Sequence, residues 1–286
     1  MDGRDACKMD RRTDIVRGCF PPFRRHAFRA SMTNAISAAL LTLLPPGLSA
    51  PDYLSMGVLV LTGACLQGVG GIGFAMLCAP LGAIFFPELV PGPLLAMGCC
   101  LSLMGALRER EAIVWPVAGF ALVGRAVGGA VAVLTIAWLA PGPLAMLFSL
   151  SILAAVALSL LGWRLLPGPR NVVIAGTLSG FMGTITSAGA PPFALVMQHM
   201  APAPMRATMG CILSGGAVLS LAMLSLAGRF GMPQLLLALA LAPFLLAGFA
   251  LSNRLRGRVS AHAVRRLLLG LCAAGALGVL GRAALA

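Results

Sequence analysis

The sequence predicts an all-α polytopic membrane protein built from two homologous repeats. Apolar runs of about 20 residues recur along most of the 286-residue chain, each long enough to cross a bilayer. The chain is 59% hydrophobic and 10% charged, with a mean hydropathy of +0.95. A soluble domain of this length has no means of covering so much apolar surface. The third observation is a duplication. L-Q-G-V-G-G-I-G-F-A-M-L-C-A-P, from Leu66 to Pro80, falls without a gap on L-S-G-F-M-G-T-I-T-S-A-G-A-P-P, from Leu178 to Pro192, when shifted by 112 positions. The same shift lays M-G-C-C-L-S (Met97 to Ser102) on M-G-C-I-L-S (Met209 to Ser214). The apolar runs are continuous rather than alternating, which indicates helices and not a barrel.

Residues 1–31 are polar and basic, with eight Lys or Arg against four Asp, and are expected to form a disordered tail. Met32 is an alternative start. Residues 32–53 form a short apolar segment and linker; the basic stretch before it is too long for a signal peptide. Repeat 1 follows at 54–166 and repeat 2 at 167–286. Repeat 1 opens with a broken segment, roughly 54–67 and 74–86, then runs at 89–107, 112–140 and 144–166. Repeat 2 repeats the plan with a broken 172–200, then 207–227, 233–252 and 263–283. G-F-A-L-V-G-R-A-V-G (Gly119 to Gly128) resembles G-F-A-L-S-N-R-L-R-G (Gly248 to Gly257), which makes Arg254 the expected mate of Arg125.

Each broken segment either spans the membrane or dips in and returns. Basic loops stay cytoplasmic, and the arginines discriminate. If every segment spans, they divide evenly between the two sides. If both broken segments are re-entrant, the halves have inverted topology. Arg108, Arg110, Arg164, Arg170, Arg206, Arg254, Arg256, Arg258, Arg265 and Arg266 then fall inside, and Arg229 and Arg282 outside. The inverted arrangement is preferred.

Of 21 basic residues 20 are arginine, and no acidic residue lies beyond Glu111. The second half therefore has no carboxylate with which to bind a cation or relay protons. A neutral or anionic solute is indicated. Eight cysteines and three scattered histidines show no metal spacing, and no cofactor, metal or catalytic residue is expected. Ser214 is a poor catalytic nucleophile, because His199 is the only histidine in a nearby segment. A non-transporting scaffold is the other alternative, although it has no use for two equivalent polar breaks.

The breaks themselves are candidate sites. Gly68, Gly70, Gly71 and Gly73 remove side chains and permit φ > 0, so that a helix ends and restarts inside the membrane. Freed amides and the positive end of the restarted helix attract an anion. Gln67 adds an amide side chain, and Pro80 lies further along. In the second break Gly183 and Gly189 bracket the hydroxyls of Thr184, Thr186 and Ser187, and Pro191 suits the first turn of the restarted helix. The competing reading is that the glycines only let helices pack closely. Arg125 lies about 20 Å into an apolar segment, a costly position that marks a functional residue or an interhelical structural one. Ser102 and Ser214 read as polar contacts between helices.

These two glycine-rich motifs, with the following P-L-L-A-M-G-C-C-L-S and P-P-F-A-L, resemble the TauE/SafE-like permeases, the sulfite exporter or TSUP family, over about residues 54–283. The resemblance implies a duplicated, multi-pass carrier for sulfite, sulfoacetate or another small sulfur-containing or organic anion. Here the glycine run is G-V-G-G-I-G and the second motif is T-I-T-S-A-G, departures that bear on substrate identity. The expected partners are a small anionic solute and the lipid bilayer, with no nucleic acid, and Gly- and Ala-rich faces permit a homodimer. The arginine-over-lysine bias points to a bacterial cytoplasmic membrane.

Overall fold

The computed structural model describes residues 49–71, 73–160, 168–255, 270 and 272–281. The expected tail at 1–31, the Met32 start, residues 32–48, and Arg164, Arg256, Arg258, Arg265, Arg266 and Arg282 lie outside the described residues.

Helix α1 (Ala50–Gly70) starts where the Asp52 N–H donates to Ser49 Oγ and Pro51 occupies the first turn. It ends at Gly71, which takes φ 79°, a conformation that only glycine adopts without strain. Helix α2 (Phe74–Phe85) then runs back along α1. The Cys78 thiol donates to Leu59 O, and a Cβ at Gly63 would lie 2.6 Å from Cys78 Sγ, so the two arms are antiparallel. A 3-10 turn (Pro87–Leu89) leads to α3 (Gly92–Arg108), and a second one (Arg110–Ala112) to α4 (Trp115–Trp138) and α5 (Pro141–Leu160). The second half follows the same order: α6 (Pro169–Thr186), a break, the short α7 (Pro191–Val196), then α8 (Pro202–Leu226), α9 (Met232–Leu255) and α10 (Cys272–Gly281). All elements among the described residues are helical.

Four helices, α1, α4, α8 and α9, are long and apolar enough to cross a membrane. The sequence reading expects nearly every segment to reach spanning length; α2, α3 and α7 fall short because Gly, Pro and 3-10 turns take up their ends. Along α4, Phe120, Val123, Val127, Val131 and Leu134 form an exposed apolar stripe at helical spacing, a face suited to lipid.

Small residues set the helix pairing, as membrane helices require. α4 and α6 run parallel, each with a G-x-x-x-G: Gly124 and Gly128 press on the backbone at Val173 and Thr177, Gly176 on Ala121 O and Gly180 on Arg125 O. α9 runs parallel to α1 in the same manner, Gly57 against Phe244, Gly248 against Leu61 O and Gly68 against Ser252. α3 and α8 meet antiparallel: Cys99 Sγ donates to Ser214 O, Gly210 packs on Ser102 and Ala106, and Arg206 pairs with Glu109. The α1–α9 and α4–α6 pairs are thus parallel and the α3–α8 pair antiparallel.

This packing corrects one expected correspondence. Gly124 faces Gly176, and Gly248 faces Ala64, which lies 112 positions before Gly176. The packing counterpart of Arg125 is therefore Phe249 and not Arg254. Backbone approach at small residues fixes equivalence between helices, whereas a shared G-F-A-L string records only similar hydropathy.

The described arginines sort by end. Arg206 pairs with Glu109, the Arg108 guanidinium lies 4.4 Å over the Phe249 ring, and the Val114 N–H at the start of α4 donates to Thr208 Oγ1. The C-termini of α3 and α9 and the N-termini of α4 and α8 therefore share one end, which carries Arg108, Arg110, Arg206 and Arg254. Arg229 follows α8 at the opposite end, and Arg125 lies between.

Candidate functional site

Two chain reversals frame the centre of the molecule. At the first, Gly71 (φ 79°) and Gly73 (φ 143°) are the left-handed residues. Gly68 and Gly70 are not part of the opening as expected; both still belong to α1. Gly68 is small for a different reason, since a Cβ there would collide with the Ser252 side chain of α9. At the second reversal the left-handed position is held by Ser187 (φ 63°) rather than by a glycine. Gly183 remains helical within α6.

The amides freed at these breaks are less available than the sequence implies. Gln67 Oε1 accepts from the Phe74 N–H at 3.2 Å, and Thr186 Oγ1 accepts from the Ala188 N–H at 3.2 Å. Thr186 Oγ1 also donates to Met182 O, and Thr184 Oγ1 bonds to Gly180 O and Ser220 Oγ, each at 2.7 Å. Both threonine hydroxyls therefore serve the helices, and neither residue lines the cavities described below. A hydroxyl four residues after a carbonyl in a helix finds that carbonyl first. Pro191 begins α7 as expected but is buried away from the cavity, and α7 is too short to present a helix dipole. Pro80 lies mid-helix in α2 against Gly275. Neither proline contributes to the site.

The remaining candidates do converge. A cavity of about 40 Å³ lies between the reversals, and its polar wall is Gln67, Gly73, Ser102, Arg125, Ser187 and Gly189. That volume holds about three waters or one small oxyanion. Phe74, Leu94, Leu95 and Leu213 supply much of the apolar wall.

Arg125 dominates this cavity. It is only 3% exposed. Its Nη1 donates to Ser179 Oγ at 2.6 Å, and Ser179 in turn donates to Gly189 O. Nε is buried without a partner. No carboxylate pairs with Arg125 among the described residues. Glycines make room for it: a Cβ at Gly216 would fall on Nε, one at Gly189 would lie 2.8 Å from Nη1, and one at Gly183 3.4 Å from Nη2. Gly183, within α6, and Gly189, within the second reversal, thus both make room for the guanidinium.

Two further cavities lie towards the two ends, and one of them shares wall residues with this one. One, of about 30 Å³, is lined by Gln67, Gly68, Gly71, Ser102, Arg108, Glu109, Arg206 and Phe249. Gln67 and Ser102 belong to both walls, with Gln67 Nε2 donating to Ser102 Oγ at 3.3 Å between them. The other, of about 450 Å³, lies on the Arg229 side and includes Pro91 and Phe148. There Ser187 Oγ donates to Pro91 O at 2.9 Å.

Sequence reasoning missed Ser179, Gly216 and the Glu109–Arg206 pair, and read Ser102 as packing only. For Ser179 a signal existed: the 112-residue shift lays it on Gln67, a polar residue before glycine in both copies. Ser214 and His199 form no catalytic pair, since Ser214 Oγ donates to Cys211 O in its own helix and His199 is exposed beyond α7.

The sequence profile of the sulfite exporter TauE/SafE family matches residues 55–279. No curated protein and no solved structure matches the chain closely enough to count as a relative. The match runs from early in α1 to the end of α10, across both chain reversals and the cavity between them, and the chain therefore belongs to the sulfite exporter TauE/SafE family of membrane transport proteins.

Proposed function

We propose that this protein is an anion permease that binds a small sulfur oxyanion or organosulfonate, of the sulfite or sulfoacetate type, at Arg125 and carries it across a bacterial cytoplasmic membrane by alternating access. The observation that carries this reading is the Arg125 guanidinium: buried, with Nε unpartnered and no carboxylate beside it, on the wall of a cavity large enough for one oxyanion. Arginine stays charged at any physiological pH. Holding an uncompensated charge in this interior costs several kcal/mol, and an incoming anion offsets that cost. A guanidinium offers two parallel N–H donors to two oxygens of one oxyanion, and Ser102 and Gln67 add neutral polar groups. The family supports the solute class. The small cavity favours a compact ion over a bulky one.

The packing supports two repeats of inverted topology. Segments that are equivalent in sequence, α3 and α8, run antiparallel, and helix pairs exchange when the halves are exchanged. The described end that carries Arg108, Arg110, Arg206 and Arg254 is then cytoplasmic by the positive-inside rule, and Arg229 faces outward. Both chain reversals then re-enter rather than span. Alternating access in such a fold is a rocking of one repeat against the other around a fixed central site. The Gln67–Ser102 and Ser187–Pro91 contacts are the two partitions that this movement would part in turn.

Thermal unfolding of the detergent-purified protein in sulfite tests the assignment. A ligand at 100 times its Kd stabilises by about 2.7 kcal/mol, so the wild-type Tm rises with sulfite and the Arg125→Ala Tm does not. Equal responses of the two proteins would remove Arg125 from the site. No response of the wild type to sulfite, thiosulfate or sulfoacetate would remove the sulfur-anion reading.

A further inference from the structure

We propose that Arg206 is a second anion station, and that Glu109 is its resident carboxylate, displaced by the solute as it passes between the Arg206 end and Arg125. The proposal rests on Arg125 being the central anion site. The Arg206 guanidinium binds Glu109 through two atoms, Nη2 to Oε1 at 2.6 Å and Nε to Oε2 at 3.2 Å. This is the fork geometry with which arginine binds any two-oxygen anion. The carboxylate therefore marks where a free oxyanion fits. Both side chains remain partly exposed, 29% for Arg206 and 19% for Glu109, so a solute can reach them and compete.

Three neighbours place this pair on the path of the central solute. It lines a cavity of about 30 Å³ that shares Gln67 and Ser102 with the Arg125 cavity. Arg108 lines the same cavity, its guanidinium stacked over Phe249, so that the local field favours an anion. The first chain reversal touches the pair directly, since a Cβ at Gly71 would lie 3.2 Å from Arg206 Cγ. Displacing Glu109 frees the α3 end from the α8 end at the point where the Gly71–Gly73 reversal abuts them. Arrival of an anion is thereby linked to the element that carries Gln67. A carboxylate that stays in the vestibule also keeps Arg206 from holding the solute too tightly to release it.

The test is sulfite uptake by proteoliposomes, with KM and maximal rate measured for wild type, Glu109→Gln, Arg206→Gln, the exchanged pair Glu109→Arg with Arg206→Glu, and Arg125→Ala. Removing the competing carboxylate releases a partly exposed ion pair, so Glu109→Gln lowers KM about three- to tenfold, and Arg206→Gln raises it by a similar factor. Arg125→Ala abolishes uptake. If Arg125→Ala abolishes uptake while both vestibule variants keep the wild-type KM, the second station is wrong and the central site stands. If both single variants lose uptake and the exchanged pair restores it at the wild-type KM, the pair is structural and the proposal is overturned. If Arg125→Ala transports like wild type, the central-site reading fails, and this proposal fails with it.

Discussion

Gly216 on α8 lies against Arg125 on α4 so closely that a methyl group at Gly216 would occupy the position of the guanidinium Nε. The absence of a Cβ at this one position on α8 is therefore what lets a charged side chain lie against the helix inside the bundle. Gly216→Ala must push the guanidinium out of its seat or part the two helices. Overpacking of this kind costs about 1–3 kcal/mol, and the displaced guanidinium no longer presents its donors to the cavity. The expected result is a protein that still folds, with a lower Tm, and that loses sulfite-dependent thermal stabilisation. A variant that keeps full sulfite response would show that the guanidinium position is not critical.

Ser179 joins Arg125 to the second chain reversal, accepting from Nη1 and donating to Gly189 O. Ser179→Ala leaves a buried charged donor and a buried carbonyl without partners, a loss of about 1–3 kcal/mol. Because a bound anion then becomes the main partner of the guanidinium, sulfite should recover a larger share of stability in this variant than in wild type. Calorimetry with and without sulfite checks the difference, and an unchanged Tm in Ser179→Ala would count against the network.

Much of this was legible in the sequence because its strongest signals are local. The duplicated glycine-rich motifs lie at both chain reversals, although the reversing residues, Gly71 and Gly73 in one copy and Ser187 in the other, are out of register under the 112-residue shift, and the depth of Arg125 in an apolar run marked it as buried before any contact was known. Among the described residues most helix positions followed from the same runs within a few residues, whereas the expected segment at 263–283 lies in part outside them. What escaped was set by packing between distant segments. Gly216 and Ser179 sit 91 and 54 residues after Arg125 and carry no motif of their own that names a guanidinium as neighbour. Thr184 and Thr186 misled for a related reason: hydroxyls look available in sequence, whereas helix carbonyls four residues earlier claim them. The register of α9 against α1 was likewise invisible, because it is fixed by Gly248 and Gly68 finding small gaps across the interface.

The first reversal depends on backbone conformation, and that has its own test. Gly71 adopts φ 79°, where a Cβ costs about 1–2 kcal/mol, so Gly71→Ala lowers Tm. Gly105 makes the control: it lies inside α3, and a Cβ there meets nothing within 4 Å. Gly105→Ala should raise stability by about 0.5–1 kcal/mol through helix propensity and the loss of chain entropy in the unfolded state. Equal effects of the two substitutions would mean that the left-handed turn is not limiting.

The proposed inverted arrangement puts two exposed arginines on opposite sides of the membrane, Arg170 at the start of α6 and Arg229 after α8. In a background free of other accessible thiols, a cysteine at Arg229 should react with a membrane-impermeant maleimide added to intact cells. A cysteine at Arg170 should react only after the membrane is opened. Labelling of both from outside would contradict the inverted arrangement.

The central claim is that a buried, carboxylate-free guanidinium is the solute's counter-charge inside the membrane. The measurement that addresses it most directly is uptake of sulfite into proteoliposomes, with thiosulfate, sulfoacetate and a simple carboxylate as comparisons, for wild type, Arg125→Lys and Arg125→Ala. The account predicts flux selective for sulfur oxyanions in wild type, at least about tenfold lower in Arg125→Lys, because lysine keeps the charge without the planar fork, and absent in a folded Arg125→Ala protein. Undiminished flux in Arg125→Ala would contradict it.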